Sequence, residues 1–154
     1  MKIGVVVVGK AGSLRSAISE YEARAARYWR LEVVEVRQVR GSDGAEVMRR
    51  EADRIRARLR PGFNRVAVAR EGRRFTSPEF ARWLEGVART PGKGVHFLVG
   101  GAFGLDPGLM DECGLRLSLS SLTLPHDFAR LLLAEQLYRA GTILGNHPYH
   151  KAPR

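Results

Sequence analysis

Short apolar runs alternate with amphipathic helical segments along most of the chain, and this alternation constrains the fold most strongly. The runs are rich in β-branched residues, which is typical of buried strands. They lie at residues 2–8, 31–39, 65–69, 95–99 and 115–119. Because helical patterns separate the strands, the sequence predicts an α/β fold with a largely parallel sheet flanked by helices.

The helical segments have recognisable start signals. Ser13 is the predicted N-cap of the first helix, and Ser77, which precedes Pro78, is the predicted N-cap of the third. A last helix is predicted over residues 127–144. It is apolar around more than one stripe, which a small sheet cannot cover, so the pattern favours a second subunit.

Length and composition narrow the class of protein. The 154 residues fit one domain, 1–154, that is large enough for a core. No apolar run approaches the ~20 residues of a membrane span, and none reads as a signal peptide, so we expect a cytoplasmic protein without a membrane partner. Cys113 is the single cysteine, which excludes an internal disulfide and a paired-cysteine zinc site.

The charge is distributed unevenly. Residues 1–94 contain 21 Lys and Arg against 11 acids, whereas residues 95–154 contain 5 against 5. Of the 26 basic residues 22 are Arg, whose planar fork suits phosphate binding and base stacking. An Arg-rich genome explains the preference for Arg equally well, but it does not explain the asymmetry, which indicates an anionic partner.

An arginine-rich helix is the best candidate for the surface that meets such a partner. It is predicted over residues 45–59, where Arg50, Arg54 and Arg58 form a row opposite the apolar stripe. The alternative is a solvated face with local ion pairs such as Glu51–Arg54.

Two glycine- or serine-rich segments follow predicted strands. In open α/β sheets, ligands bind beyond the carboxyl ends of the strands. The segment 100–104, GGAFG, lets backbone approach a ligand, but it is neither GxGxxG nor a P-loop. The segment 119–126, LSSLTLPH, is rich in backbone donors and acceptors. Taken singly, a plain turn explains the first segment at least as well as a ligand site does, and a capped loop that leads into a helix is the better interpretation of the second.

The segment Asn146 to Lys151 combines two imidazoles, a phenol and an ammonium beyond the last helix. A terminus normally frays, so this density of reactive groups indicates a catalytic tail. His147 and His150 alone are weak support for a metal site, because they have no acidic or thiol partner. We expect no metal, and we interpret His96 as a core histidine and His126 as structural rather than catalytic.

Four blocks of sequence carry a resemblance. The chain resembles the bacterial ribosomal RNA large subunit methyltransferase H family, of the SPOUT class, in FLVGGAFG, SLSSLTLPH, LLLAEQLYRA and NHPYHK. The resemblance runs from Lys2 to Lys151 and is loosest in the first half. It implies a SPOUT-type α/β fold whose part from about residue 95 to 151 forms a deep trefoil knot, binds the cofactor and dimerises through the final helix.

The resemblance also implies a chemistry. The cofactor would be S-adenosyl-L-methionine, and the reaction methylation of N3 of a pseudouridine in the helix 69 loop of 23S rRNA, on assembled ribosomes. The implied cofactor site comprises Val68, Gly100, Gly101, Ser120, Ser121, Leu122, Thr123, Leu124 and Pro125. Where the family usually has Leu-Asp, this chain has Val68-Ala69.

The implied catalytic residues come from the last helix and the tail. We expect His150 to accept the N3 proton or orient the base, Tyr149 to stack or donate a hydrogen bond, and Arg139 to stabilise developing negative charge. The tail of one subunit would serve the pocket of the other. Two alternatives remain: a ribosome-binding or assembly factor that transfers no methyl group, and a tRNA methyltransferase, which the tail does not favour.

Overall fold

Five strands form one sheet in the computed structural model, which describes residues 1–92 and 94–151. The strands are β1 Lys2–Val8, β2 Arg30–Val36, β3 Asn64–Arg74, β4 Gly94–Val99 and β5 Leu115–Ser118. Their order across the sheet is β2-β1-β4-β3-β5, and every pair is parallel. The predicted parallel α/β architecture is confirmed.

Helices cover both faces of this sheet. They are α1 Arg15–Ala25, α2 Gly44–Arg56, α3 Ser77–Arg89, α4 Pro107–Asp111 and α5 His126–Leu144, with a 3-10 turn at Gly12–Leu14. One face carries α1, α3 and α5, with α5 in contact with the other two, and the other face carries α2 and α4. None of the helices in the described part of the chain could cross a bilayer.

Alternation along the strands explains the unbroken apolar runs. Val5 and Val7 face the core beneath α1, α3 and α5, whereas Val6 and Val8 face the core beneath α2. All four side chains are at most 4% exposed. A strand covered on both faces has no polar side, which is why its sequence is continuously apolar.

Two predicted helix caps are wrong. Ser13 lies in the 3-10 turn, and the residue before α1 is Leu14, which makes no side-chain cap. Thr76, not Ser77, caps α3, because its hydroxyl accepts from Glu79 N–H at 3.2 Å while the Glu79 carboxylate accepts from Thr76 N–H. Ser77 is free to donate to Gln136 on α5 at 2.7 Å.

The interpretation of α2 needs correction as well. Glu51 is not on a solvated face: it is 3% exposed, and its Oε2 accepts from Val39 N–H at 3.0 Å. Arg54 donates to the carbonyl oxygens of Arg37 at 2.7 Å and Gln38 at 3.3 Å. The expected Glu51–Arg54 pair is therefore wrong, because both side chains hold the loop that follows β2.

The connection from β5 to α5 positions the site. Strand β5 is one edge of the sheet, whereas α5 begins beside β1, where His126 Nε2 lies 3.2 Å from Lys10 O. Residues 119–125 therefore cross above the carboxyl ends of β3 and β4.

Candidate functional site

A cavity of about 370 Å³ opens at the carboxyl ends of the central strands. This volume falls in the ~300–1,000 Å³ range of small-molecule sites. Its walls are the middle of β3, the loop after β4 and the loop after β5. The residues that line it include Val68–Glu71, Val99–Leu105, Leu119, Ser120, Leu122–Leu124, His126 and Ala129.

The loop after β4 folds so tightly that only glycine fits. A Cβ on Gly100 would lie 2.5 Å from the carbonyl carbon of Gly104. Gly104 N–H donates to Gly101 O at 3.0 Å, and Gly104 has a φ of +85°. A Cβ on Gly101 would lie 3.0 Å from Val8 and 3.1 Å from Glu51 Oε1. The absence of side chains leaves bare backbone facing the cavity.

The loop after β5 is held in place by its own hydroxyls and by β3. Leu122 N–H donates to Ser120 Oγ at 3.0 Å. From β3, Arg70 donates to Thr123 Oγ1 and Arg74 to Ser121 Oγ, each at 3.1 Å. The Leu122 side chain is 74% exposed at the rim, so it is a large apolar group with no cover within the described chain.

Most of the residues proposed for the cofactor site meet at this cavity. Seven of them line it: Val68, Gly100, Gly101, Ser120, Leu122, Thr123 and Leu124. Ser121 instead turns toward Arg74, and Pro125 is the N-cap of α5. These two support the wall rather than form its surface.

Sequence reasoning missed the two charged lining residues, Arg70 and Glu71, and it interpreted His126, which also lines the cavity, as structural. Glu71 supplies a carboxylate to the cavity, which Ala69 also lines. Its hydrogen bond with Arg70 lowers the pKa of Glu71. The sequence offered no clear signal for Arg70 and Glu71, because β3 continues past its apolar run through a polar segment with a register shift between Val68 and Arg73.

The three predicted catalytic residues form one cluster around Arg139. Its guanidinium donates to Glu135 Oε1 at 2.7 Å and to His150 Nδ1 at 3.1 Å, and it lies 4.8 Å from the centre of the Tyr149 ring. The Tyr149 ring packs on Tyr138, with 4.6 Å between ring centroids. We refer to Arg139, Tyr149 and His150 as the tail cluster.

The contact with Arg139 fixes the tautomer of His150. A guanidinium only donates, so Nδ1 of His150 accepts and the proton of the neutral ring is on Nε2. This Nε2 is buried and has no hydrogen-bond partner among the described residues. His150 therefore presents an unused N–H donor, and in this arrangement it is not a proton acceptor.

Tyr149 is also unsuited to act as a base. Burial, followed by the neighbouring Tyr21 hydroxyl, raises the pKa of Tyr149 to about 12. The phenol is neutral near pH 7, so the side chain acts as a flat surface and a hydrogen-bonding group. Arg139 remains charged, because its hydrogen bond with Glu135 raises the pKa of Arg139.

Within one chain the tail cluster does not reach the cavity. Ala129 lines the cavity and Arg139 anchors the cluster, and both residues are on α5. Ten residues of helix separate them, which corresponds to about 15 Å along the axis. In a single subunit the cavity and the tail cluster are therefore separate, one near the start of α5 and the other near its C-terminal part.

The second histidine of the tail has a local structural role. His147 Nδ1 accepts from Tyr149 N–H at 3.2 Å. Among residues 1–92 and 94–151, no group of three or more His, Cys, Asp or Glu is arranged to hold a metal ion.

Comparison with known proteins identifies close relatives of the whole chain. Residues 1–150 match the family model described as predicted SPOUT methyltransferase. Two proteins named ribosomal RNA large subunit methyltransferase H are similar over their full lengths. The one from Gemmatimonas aurantiaca is 45% identical across 98% of this chain, and the one from Bordetella pertussis is 43% identical across 99%. A solved structure of a probable methylase family protein from Haemophilus influenzae Rd KW20 shares the fold, with a TM-score of 0.51 and 17% identity over 96% of this chain and 67% of that one.

Proposed function

This chain belongs to the SPOUT methyltransferase family, and from that premise we propose that it methylates N3 of a pseudouridine in the helix 69 loop of 23S rRNA. The substrate is the assembled ribosome, which makes the enzyme cytoplasmic, and the methyl donor is S-adenosyl-L-methionine. The names of full-length relatives at 45% and 43% identity support a large-subunit rRNA substrate. The choice of a pseudouridine in the helix 69 loop, and of its N3 atom, goes beyond what those names say.

The cavity is suited to S-adenosyl-L-methionine. Bare backbone at Gly100 and Gly101 admits close contact, and the loop 119–124 offers backbone groups to the edge of an adenine ring. Glu71 adds a negative charge for a ligand that is cationic at sulfur and at its ammonium. When bound, this cofactor supplies a methyl group on a sulfonium, so the reaction needs no metal activation.

The observation that carries the proposal is the separation of the two half-sites along α5. Phe128, Leu132, Glu135 and Arg139 are spaced by four, three and four residues, so they share one face of this helix. Phe128 is 48% exposed and Leu132 is 39% exposed, which is unusual for large apolar side chains. Such a face is suited to a two-fold contact with a second copy.

An antiparallel contact of this face between two copies would unite the half-sites. If the two-fold axis passes between Leu132 and Glu135, Arg139 of one subunit lies opposite the start of α5 in the other. The tail cluster then borders the partner subunit's cavity. We therefore propose a homodimer whose active sites combine the cavity of one chain with the tail of the other.

In such a site the residues of this chain bind and orient the base. The partly exposed Arg139 guanidinium donates to a carbonyl oxygen that flanks N3 and stabilises the negative charge left when the N3 proton departs to water, and His150 orients that guanidinium through Nδ1. Tyr149 supports the ring of the base. The cofactor, held by the loops after β4 and β5, would supply the methyl group that joins N3 and would leave as a neutral thioether. In-line alignment supplies much of the remaining rate.

The sequence predicts His150 as a proton acceptor or as a group that orients the base, and the contact with Arg139 favours an orienting role. We also propose that residues 1–154 form one domain whose part from about 95 to 151 is a trefoil knot. The crossing of residues 119–125 above β3 and β4 is compatible with such threading.

The first experiment is transfer of labelled methyl to ribosomes that lack the modification, with free rRNA and tRNA in parallel. We expect label in the helix 69 loop, and only with whole ribosomes. Label on tRNA would overturn the choice of substrate. Failure of both transfer and cofactor binding would instead favour the alternative, a ribosome-binding factor with the same fold.

A further inference from the structure

A second, basic cleft of about 520 Å³ adjoins the cavity and shares His126 with it. It lies between the loop after β1 and the loop after β2. Its charged lining is Lys10, Arg37, Arg40 and Glu35. Because one residue borders both spaces, a ligand that fills the cleft is next to whatever the cavity holds.

The cations of the cleft are available to a ligand. Lys10, Arg37 and Arg40 are exposed, and none of them forms an ion pair with a carboxylate of residues 1–92 or 94–151. Glu35, the acid of the cleft, is already paired with the buried Arg130 at 2.6 Å. The cleft therefore has an uncompensated positive charge, which attracts a polyanion.

The loop that carries the two arginines is held in one conformation. Arg54 binds the carbonyl oxygens of Arg37 and Gln38, and Glu51 binds the N–H of Val39. Both anchors belong to α2, beneath the loop. A cationic loop fixed before binding loses less conformational entropy when it meets its ligand.

The buried anchor also connects the cleft to the cavity. Glu51 Oε1 has no hydrogen-bond partner among the described residues, and it would lie 3.1 Å from a Cβ on Gly101. The Glu51 carboxylate thus packs against the loop after β4, which lines the cavity, and holds the loop after β2, which carries Arg37 and Arg40. The relative positions of the two loops are fixed by this side chain.

We propose that this cleft binds the phosphate backbone of the substrate RNA on one side of the nucleotide that is methylated. Its position next to His126 puts the phosphates at the mouth of the methyl-transfer cavity, and its exposed cations suit charged phosphates, which carry the negative charge of RNA. The inference rests on the proposed function, because it takes RNA as the substrate. The cleft differs from the surface that the sequence predicts, the row Arg50, Arg54 and Arg58, because Arg54 is engaged with the loop that carries Arg37.

The test compares two triple variants with the same change in charge. The cleft variant is Lys10→Ala, Arg37→Ala and Arg40→Ala. The control is Lys2→Ala, Arg82→Ala and Arg89→Ala, at exposed positions outside the cleft. Ribosome binding is measured by filter retention from low to high salt, without methyl transfer, and cofactor affinity by calorimetry.

We expect the cleft variant to bind ribosomes at least about tenfold more weakly and to reduce the salt slope by about 0.7 to 0.9 for each lost phosphate contact. Cofactor affinity should stay within about twofold, because the three side chains lie outside the cavity. An unchanged salt slope, or an equal loss of ribosome binding in the control variant, would overturn the proposal that the cleft binds RNA. If the wild-type protein bound ribosomes without methylating them, the proposed reaction would be overturned, whereas the proposed role of the cleft in RNA binding would stand.

Discussion

At the scale of the residue, Arg139 organises the candidate catalytic groups. It holds the carboxylate of Glu135, the ring of Tyr149 and Nδ1 of His150 at once. Because one guanidinium makes all three contacts, the orientation of His150 depends on a residue eleven positions earlier in the chain. A lysine at position 139 would keep the positive charge, but its ammonium group could not make all three contacts of the planar guanidinium.

Tyr149 provides a test of the roles assigned to the tail. Tyr149→Phe keeps the ring that packs on Tyr138, and the hydroxyl it removes is neutral, so we expect transfer to remain within about tenfold of wild type. Tyr149→Ala removes the supporting surface and should reduce kcat by on the order of 10². Single-turnover methyl transfer at pH 7 measures both. A Phe variant as defective as the Ala variant would mean that the hydroxyl takes part in the chemistry.

His96 gives the fold a pH dependence. Burial, followed by Arg60 and Arg65, lowers the pKa of His96, and its Nε2 accepts from Arg60 N–H at 2.9 Å. The unfolded chain therefore binds this proton more readily than the folded chain does. The stabilisation is complete above the unfolded pKa of about 6.5 and is lost as pH falls toward the folded value, by at most about 1.4 kcal/mol per pH unit.

This dependence should disappear in His96→Gln, whose amide oxygen can still accept from Arg60 N–H. Urea unfolding at pH 7.5 and pH 5 would show a smaller loss of stability in the variant than in wild type. The two proteins differ only at residue 96, so the difference between their losses of stability isolates the contribution of His96. Equal losses would mean that His96 keeps an ordinary pKa.

At the scale of the element, the loop after β4 depends on the absence of a side chain. Gly100→Ala would bring a Cβ to 2.5 Å from the backbone of Gly104, so the loop must move. We expect cofactor affinity to fall by on the order of 10² or more, since the backbone that faces the cavity shifts. Calorimetric titration of S-adenosyl-L-methionine measures this change.

Gly86 offers a matched control within α3. A Cβ there meets nothing within 4 Å, and the residue lies in a helix interior. Gly86→Ala should leave cofactor binding unchanged and raise the free energy of unfolding by about 0.5 to 1 kcal/mol. If both variants bound cofactor normally, the glycine loop would not be part of the binding site.

The strands and helices were predictable because their patterns are local. The apolar runs gave all five strands, and Pro107 marked the start of α4. Caps were harder, since Thr76 and Ser77 are both good N-cap residues and the deciding partner is Glu79. The extension of β3 to Arg74 was missed because Arg70–Arg74 is polar, and it pairs with β5 after a register shift.

The site was only partly predictable, because many of its contacts join segments that are distant in the sequence. Residues of one segment, such as Gly100 and Gly101, could be grouped from the sequence. The contacts of Arg70 with Thr123 and of Glu51 with Val39 join segments that no local pattern connects. Glu51 is buried because the loop after β2 packs over it, whereas its charge alone favoured an exposed position.

At the scale of the whole molecule, the proposed dimer can be tested by mixing inactive subunits. Gly100→Ala disables the cavity and leaves the tail intact, whereas His150→Ala does the reverse. If the tail serves the partner subunit, a mixed dimer regains one working site, so a random mixture should reach about a quarter of wild-type activity. If each tail served its own chain, the mixture would stay inactive.

The dimer contact itself should depend on the exposed apolar face of α5. Leu132→Glu would bury an unpaired carboxylate beside its symmetry mate, which costs several kcal/mol at an interface. We expect a monomer in analytical ultracentrifugation at micromolar concentration, with transfer lost. Exposed Arg82→Glu on α3 is the control and should leave the dimer unchanged. A dimeric Leu132→Glu protein would exclude this face as the contact.

The strand order has a consequence for how the chain acquires its structure during synthesis. Strand β4 lies between β1 and β3, yet it comes after both of them in the sequence. Until residue 99 has been made, β3 has no neighbour on either side, and its apolar surface stays open to other chains. All pairings join distant segments through crossovers, which makes folding slow. A growing chain that stalls before β4 is therefore the form of this protein most prone to aggregation.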